Sequence, residues 1–268
     1  MLWDARNGRV RLGGTDMDYV AFGHGEKALA VLPGLSDGLA TVKGKALLLA
    51  PPYRRYFDAY TVYMFSRKNG MPKGYSIWDM AADQAAAMAA LGLERACVLG
   101  VSQGGMIAQA LAIGFPERVG KLVIAVSAAR AGDMTRRCVT GWIEMARRGD
   151  HRALMIDTAE KSYSEAYLRK YRRLYPMLGC LGRPKSYARF FANAEAVLGF
   201  DASGELGRVA CPTLILAGEE DRIVGAEASR ELHERIPGSR LHVYPGLGHA
   251  AYEEAPDFNA RVFGFLDA

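Results

Sequence analysis

Short apolar runs rich in β-branched residues recur along the chain at 17–22, 28–32, 60–65, 96–99, 121–126, 213–217 and 240–244. Each is bounded by polar or turn-forming residues, the pattern of a strand that buries at least one face. Helix-like stretches separate most of them. Residues 79–91, DMAADQAAAMAAL, are rich in the strongest helix formers and end at Gly92, a stop signal. Residues 105–113 read as a second helix, and Pro116 ends it. Strands alternating with helices predict a mostly parallel sheet covered on both faces.

Between 128 and 206 the alternation fails. The segment is charged and aromatic with helical spacing over 135–148, 150–163, 165–175 and 186–198, and the buried-strand pattern returns at 209–217. The chain therefore reads as one α/β core, residues 1–127 and 207–268, interrupted by a helical insertion over 128–206 that lies as a lid across the sheet edge. No internal repeat and no low-complexity linker is present in the sequence.

With 268 residues, half of them hydrophobic, the chain has enough apolar side chain for a large single core. The formal charge of +5 is spread among interspersed acids, which reads as a solvated surface and not a nucleic-acid face. Cys97, Cys138, Cys180 and Cys211 are too widely spaced for a zinc site and read as free, buried thiols. The first ten residues, MLWDARNGRV, lack the apolar core of a secretion signal. Apolar runs such as 46–50 are far too short to span a bilayer. The expectation is a soluble cytoplasmic protein whose partner is a small molecule, with no membrane span and no nucleic acid. The sequence leaves oligomeric state open.

The most informative passage is RACVLGVSQGGMIAQALA, residues 95–112, in which an apolar run breaks at Gly100-Val101-Ser102-Gln103-Gly104 into a helix-like stretch. This is the form of a nucleophile elbow, a sharp strand-to-helix turn that lifts a serine hydroxyl above the sheet beside the positive end of a helix. The pentapeptide alone is weak, since about one shuffled chain in seven of this composition would carry it. Flanking glycines two residues either side have a mechanical reason, because a serine held at positive φ crowds those positions.

A serine hydroxyl is a poor nucleophile at neutral pH and needs a base, which in turn needs an orienting acid. In a parallel sheet such groups gather at the carboxyl ends of strands. The run 213–217 is followed by Gly218, Glu219, Glu220, Asp221 and Arg222, and 240–244 by Pro245, Gly246, Leu247, Gly248 and His249. Glu219 and Glu220 compete with Asp221, and Asp133, beyond the strand at 121–126, is an outside candidate. His24, His151, His233 and His242 lie in a turn, on charged helical stretches and within a strand, where structure or solvent accounts for them.

The order Ser102, Asp221, His249, with GVSQGGMIAQ, FPERV followed by LVI, PTLILAGEEDRIV and YPGLGHAAYEEAP, resembles the α/β-hydrolase superfamily over nearly the whole chain. It is most similar to capped esterase and enol-lactonase-like members. That resemblance implies an eight-stranded, mostly parallel sheet with helices on both faces and a helical cap. It implies Ser102 as nucleophile, His249 as base and Asp221 as acid, with no metal or organic cofactor. It also implies an oxyanion hole from the backbone amides of Gln103 and of Leu35, the latter in the turn 31–38. The sequence departs from the family at Pro33, where many relatives carry histidine; proline stiffens the turn.

Within the insertion, Tyr163, Tyr167, Tyr171 and Tyr175 recur every four residues and predict an aromatic stripe on one helix face. Packing of lid on body is its first reading and contact with substrate, through Tyr163 and Tyr167, its second. Trp142 and Met145 are further candidates for the pocket wall. Arg169, Lys170, Arg172 and Arg173 fall on other faces and read as solvated. The expected activity is hydrolysis of carboxylic esters or lactones of small to medium, largely apolar substrates through an acyl-serine. An acyltransferase, a perhydrolase or a carbon–carbon bond hydrolase would use the same triad. A ligand receptor that kept the pocket without turnover is the alternative from another class.

Overall fold

A computed structural model describes residues 2–178 and 182–268. Cys180 lies outside the described residues; Cys97, Cys138 and Cys211 are free thiols, each made harder to ionise by burial. In chain order come strands β1 (Arg6–Leu12), β2 (Thr15–Phe22), β3 (Lys27–Leu32), the short helix α1 (Ala46–Leu49), β4 (Tyr60–Lys68), α2 (Ile77–Ala90), β5 (Ala96–Val101), α3 (Gln103–Gly114) and β6 (Val119–Ala125). Helices α4 (Asp133–Arg147), α5 (His151–Ser162), α6 (Glu165–Tyr171), α7 (Tyr175–Leu178) and α8 (Ala188–Leu198) follow, with no intervening strand among the described residues. The chain ends with β7 (Thr213–Gly218), α9 (Ala226–Arg235), β8 (Arg240–Tyr244), α10 (Ala251–Glu254) and α11 (Phe258–Asp267).

The strands form one eight-stranded sheet in the order β1-β2-β4-β3-β5-β6-β7-β8. β1, β2 and β4 pair antiparallel, and every pair from β4 through β8 is parallel. Alternation along a strand sends neighbours to opposite faces. In β3, Leu29 and Val31 enter one hydrophobic cluster while Ala30 and Leu32 enter the other. Helices α2 and α3 cover the face of Ala30 and Leu32, and α11 covers that of Leu29 and Val31. The central strands β5, β6 and β7 are mostly buried on both faces, which is why they read in sequence as continuous apolar runs.

The run pattern misses β1, for a physical reason. It is an edge strand in which Val10 is the one fully buried residue, and its arginines face solvent, where charge discourages pairing with another chain. A helix predicted over 165–175 also differs: α6 ends at Tyr171, a tight turn spans Arg172–Leu174, and α7 begins at Tyr175. Pro176 has no N–H to give the carbonyl of Arg172, so the α-helical ladder cannot run through.

The helices between β6 and β7 are tied to the loops at the carboxyl edge of the sheet. Thr135 donates to the carbonyl of Ile223 at 3.0 Å, Ala250 N–H donates to the carbonyl of Ser162 at 2.8 Å, and Ser164 N–H donates to Glu254 at 2.9 Å. Among the described residues no helix is long and apolar enough to cross a membrane.

Candidate active site

Ser102 follows β5 and caps α3, at φ 54° and ψ −119°, a conformation that residues other than glycine rarely adopt. The surrounding packing explains its neighbours. A Cβ on Gly104 would overlap the carbonyl of Leu32, one on Gly100 would overlap the backbone of Gly104, and one on Gly105 would come within 2.6 Å of the Ser127 side chain. The turn can therefore be this tight only with glycine at these three places. Ser127 adds a clamp, donating its hydroxyl to the carbonyl of Ser102 at 2.8 Å.

Asp221 follows β7 and His249 follows β8, each in the loop that leaves the carboxyl end of its strand. Asp221 Oδ1 accepts from the N–H groups of Ile223 at 2.8 Å and Val224 at 2.9 Å, which aims Oδ2 at His249 Nδ1, 2.7 Å away. His249 Nε2 lies 2.9 Å from Ser102 Oγ. A carboxylate only accepts, so Nδ1 carries the imidazole proton and Nε2 is left to accept from the serine hydroxyl. Burial by itself pushes the Asp221 carboxyl up, yet His249 and the two backbone N–H groups outweigh it and hold the group below the usual carboxylate range. Asp221 thus stays ionised beside the imidazole it orients.

The competing groups lie elsewhere. Glu219 accepts from the N–H of Gly246, and Glu219 and Glu220 are both exposed. Asp133 is an exposed residue at the start of α4. His233 pairs with Ser239, and His242 packs edge-on against Tyr244 in β8. Among the described residues no cluster of three or more His, Cys, Asp or Glu side chains could hold a metal ion.

Gln103 N–H opens α3, and Leu35 N–H opens a short 3-10 turn at Leu35–Gly38; such first N–H groups have no partner within their own helix. Both residues line the same cavity as Ser102 and His249. Gly34 brings the second turn close, since a Cβ there would lie 3.3 Å from that of Ser102. Two free donors next to a serine oxygen can stabilise negative charge that develops on a bound carbonyl.

The cavity has a volume of about 110 Å³. Trp142 is part of its wall, together with Met106, Val139, Val197, Ile223 and Tyr252. Met145, Tyr163 and Tyr167 lie outside this lining. Met145 packs half-buried against the main hydrophobic cluster. Tyr163 follows α5 and so precedes the helix that carries Tyr167; its ring stacks on Tyr167 at 4.4 Å and its hydroxyl donates to Glu253 at 2.6 Å. The tyrosines form a column that joins α5 and α6 to α10. Ile223, Val224 and Tyr252 also line the cavity; the one sequence signal they carry is position, each lying within three residues of Asp221 or His249.

Comparison with known proteins agrees with the topology. Residues 63–256 match the family model described as the alpha/beta hydrolase fold. A protein of Caulobacter sp. strain K31, provisionally named carbamate hydrolase RutD, is 29% identical over 253 residues, covering 87% of this chain and 89% of the relative. A Pseudomonas protein named 2-hydroxy-6-oxononadienedioate/2-hydroxy-6-oxononatrienedioate hydrolase is 29% identical over 210 residues, 74% of each chain. The enol-lactonase of Burkholderia xenovorans LB400 superposes with a TM-score of 0.80 at 21% identity, over 97% of this chain and 100% of that one. The sheet order, the turn at Ser102 and the family match over most of the sequence together establish that this chain belongs to the α/β hydrolase family.

Proposed function

We propose that the protein is a serine hydrolase that cleaves small, uncharged carboxylic esters or lactones, with residues 128–206 acting as a cap over the core 1–127 and 207–268. The observation that carries this reading is the unbroken chain Ser102 Oγ, His249 Nε2, His249 Nδ1, Asp221 Oδ2, with separations of 2.9 Å and 2.7 Å, at the wall of an apolar cavity. His249 takes the proton as Ser102 attacks the carbonyl carbon, and Asp221 steadies the resulting imidazolium. The amides of Gln103 and Leu35 hold the oxyanion. Collapse expels the alkoxide, which leaves with the proton from His249. Water, deprotonated by the same imidazole, then releases the acid and restores Ser102. No step calls for a metal or an organic cofactor.

The cavity's chemistry narrows the substrate. Its wall contains no lysine, arginine, aspartate or glutamate among the described residues. A carboxylate brought into such a space would be desolvated without a partner, which is costly. The dioate named for the Pseudomonas relative, with its two carboxylates, is therefore a poor fit. A neutral ester or lactone meets no such penalty, and a neutral carbamate ester presents the same carbonyl.

The test is a panel of nitrophenyl esters of increasing acyl length, several lactones and a neutral carbamate ester, run on the wild type and on Ser102→Ala. Turnover of short neutral substrates by the wild type, absent in Ser102→Ala, is the expected result. Preference for anionic substrates, or equal rates in both proteins, would overturn the reading. Adding an acceptor alcohol separates hydrolysis from acyl transfer, because a transferase slows sharply when water alone is offered.

A further inference from the structure

Behind the two amides of Gln103 and Leu35 lies a buried arginine that none of the steps above uses. Arg67, near the end of β4, is 4% exposed. Its Nη2 donates to the carbonyl of Pro33 at 2.5 Å and to Gln103 Oε1 at 3.1 Å. The first bond fixes the peptide that leads into Gly34 and Leu35. The second fixes the side chain of the residue whose N–H is the other donor. Gln103 is held from its far end too, its Nε2 donating to the carbonyl of Asn193 in α8 at 2.9 Å.

Among the described residues the Arg67 guanidinium makes no ion pair; the Asp37 carboxylate favours its charge through space and Arg189 opposes it. Asp37, itself buried, turns Oδ2 to the backbone N–H of Arg67 at 2.9 Å and to Nη2 of Arg189 at 2.6 Å. Among the described residues no carboxylate pairs with the Arg67 guanidinium, and its Nε and Nη1 have no hydrogen-bond partner. Burial lowers the group to about 10, so it remains a cation at neutral pH. A cation in a poorly polarisable interior acts over a longer range than one in water.

We propose that Arg67 is a positioning residue: its guanidinium clamps the Pro33 carbonyl and the Gln103 side chain so that both oxyanion donors are pre-aimed, and its buried charge lies on the side of the hole from which it favours an anion. The inference rests on the serine-hydrolase reading. Its benefit appears when the carbonyl oxygen becomes an anion, and little of it appears in binding the neutral substrate.

The experiment compares wild type, Arg67→Met and Arg67→Lys on the best nitrophenyl ester, with the affinity for phenylboronic acid, which forms a tetrahedral anionic adduct on the serine. Arg67→Met is expected to lower kcat by about 10- to 100-fold with KM unchanged within twofold, and to weaken the boronate by a similar factor. Arg67→Lys, which keeps charge but not the forked donors, is expected to recover part of kcat and boronate affinity. If Arg67→Met does not fold, the lysine variant alone decides: a lower kcat at constant KM supports the proposal. A higher KM at constant kcat, or unchanged kcat and boronate binding in a folded variant, overturns it. A wild type that neither turns over esters nor reacts with a fluorophosphonate removes the hydrolase reading and this proposal together, whereas an active wild type with insensitive Arg67 variants removes this proposal alone.

Discussion

The carboxyl edge of the sheet and the helices that cross it are built differently. At the edge, Ser102 and Asp221 leave the buried strands β5 and β7, His249 leaves the edge strand β8, and their loops are tightly packed. Gly248 passes so close to the carbonyl of Ser162 that a Cβ there would approach it to 2.6 Å. Across the top, α5 carries mainly half-buried and α6 mainly exposed side chains, held by partly exposed ion pairs such as Arg172 with Glu160 at 2.8 Å and Lys161 with Asp157 at 2.5 Å. A reaction centre must be placed to fractions of an ångström, which dense packing and backbone hydrogen bonds provide. A pocket wall needs only the right volume and polarity. Changes at the edge should therefore affect chemistry or folding, and changes in the helices should affect selectivity.

The sharpest way to break this contrast is at the base. His249→Ala is expected to lower kcat by about 10⁴-fold or more, with the same melting temperature within a few degrees; steady-state kinetics beside a thermal melt check it. A near-normal rate would mean that the hydrogen-bond chain is not the working part. Gly104→Val comes next, because the side chain must enter space held by the Leu32 and Pro33 carbonyls. A stability loss of about 3 kcal/mol is expected, seen as a fall in melting temperature of roughly 6–12 °C. An unchanged melt would show that the elbow is looser than its packing implies.

The helices should answer in another way. Val197 in α8 lines the cavity and is 4% exposed. Val197→Ala enlarges the pocket, and the ratio of kcat/KM for a longer over a shorter acyl chain is expected to rise about tenfold, with the fluorophosphonate rate preserved. An equal change for every chain length would place this residue in the chemistry instead. The smallest effect is expected from Arg172→Ala. It removes exposed ion pairs with Glu160 and Glu165, and the melting temperature should move by on the order of one degree, with kinetics unchanged. A large kinetic effect would show that α6 is coupled to the reaction.

The same division governs how much could be read from the sequence. Apolar runs locate the central strands because those strands are buried on both faces, and the glycines around Ser102 are visible because no other residue fits. Asp221 and His249 are picked out by their places after β7 and β8, and the structure brings both within hydrogen-bond reach of one another and of Ser102. β1 escapes because an edge strand with one fully buried side chain has no apolar signature. Tyr163 and Tyr167 illustrate the opposite error. Their spacing suggests a single helix face, but Tyr163 precedes Ser164, the N-cap of α6, and its hydroxyl is taken by Glu253, 90 residues away in sequence. Arg67, Asp37 and Arg189 could not be read either. Each looks like an ordinary surface charge until β4, the Leu35 turn and α8 meet.

The central claim is that Ser102 is an activated nucleophile, and covalent labelling measures that directly. Incubation with a fluorophosphonate, followed by intact-protein and peptide mass spectrometry, is predicted to give one adduct per chain on Ser102, absent in Ser102→Ala and slowed at least about 10³-fold in His249→Ala. Failure of the wild type to label, or labelling that persists in Ser102→Ala, would contradict it.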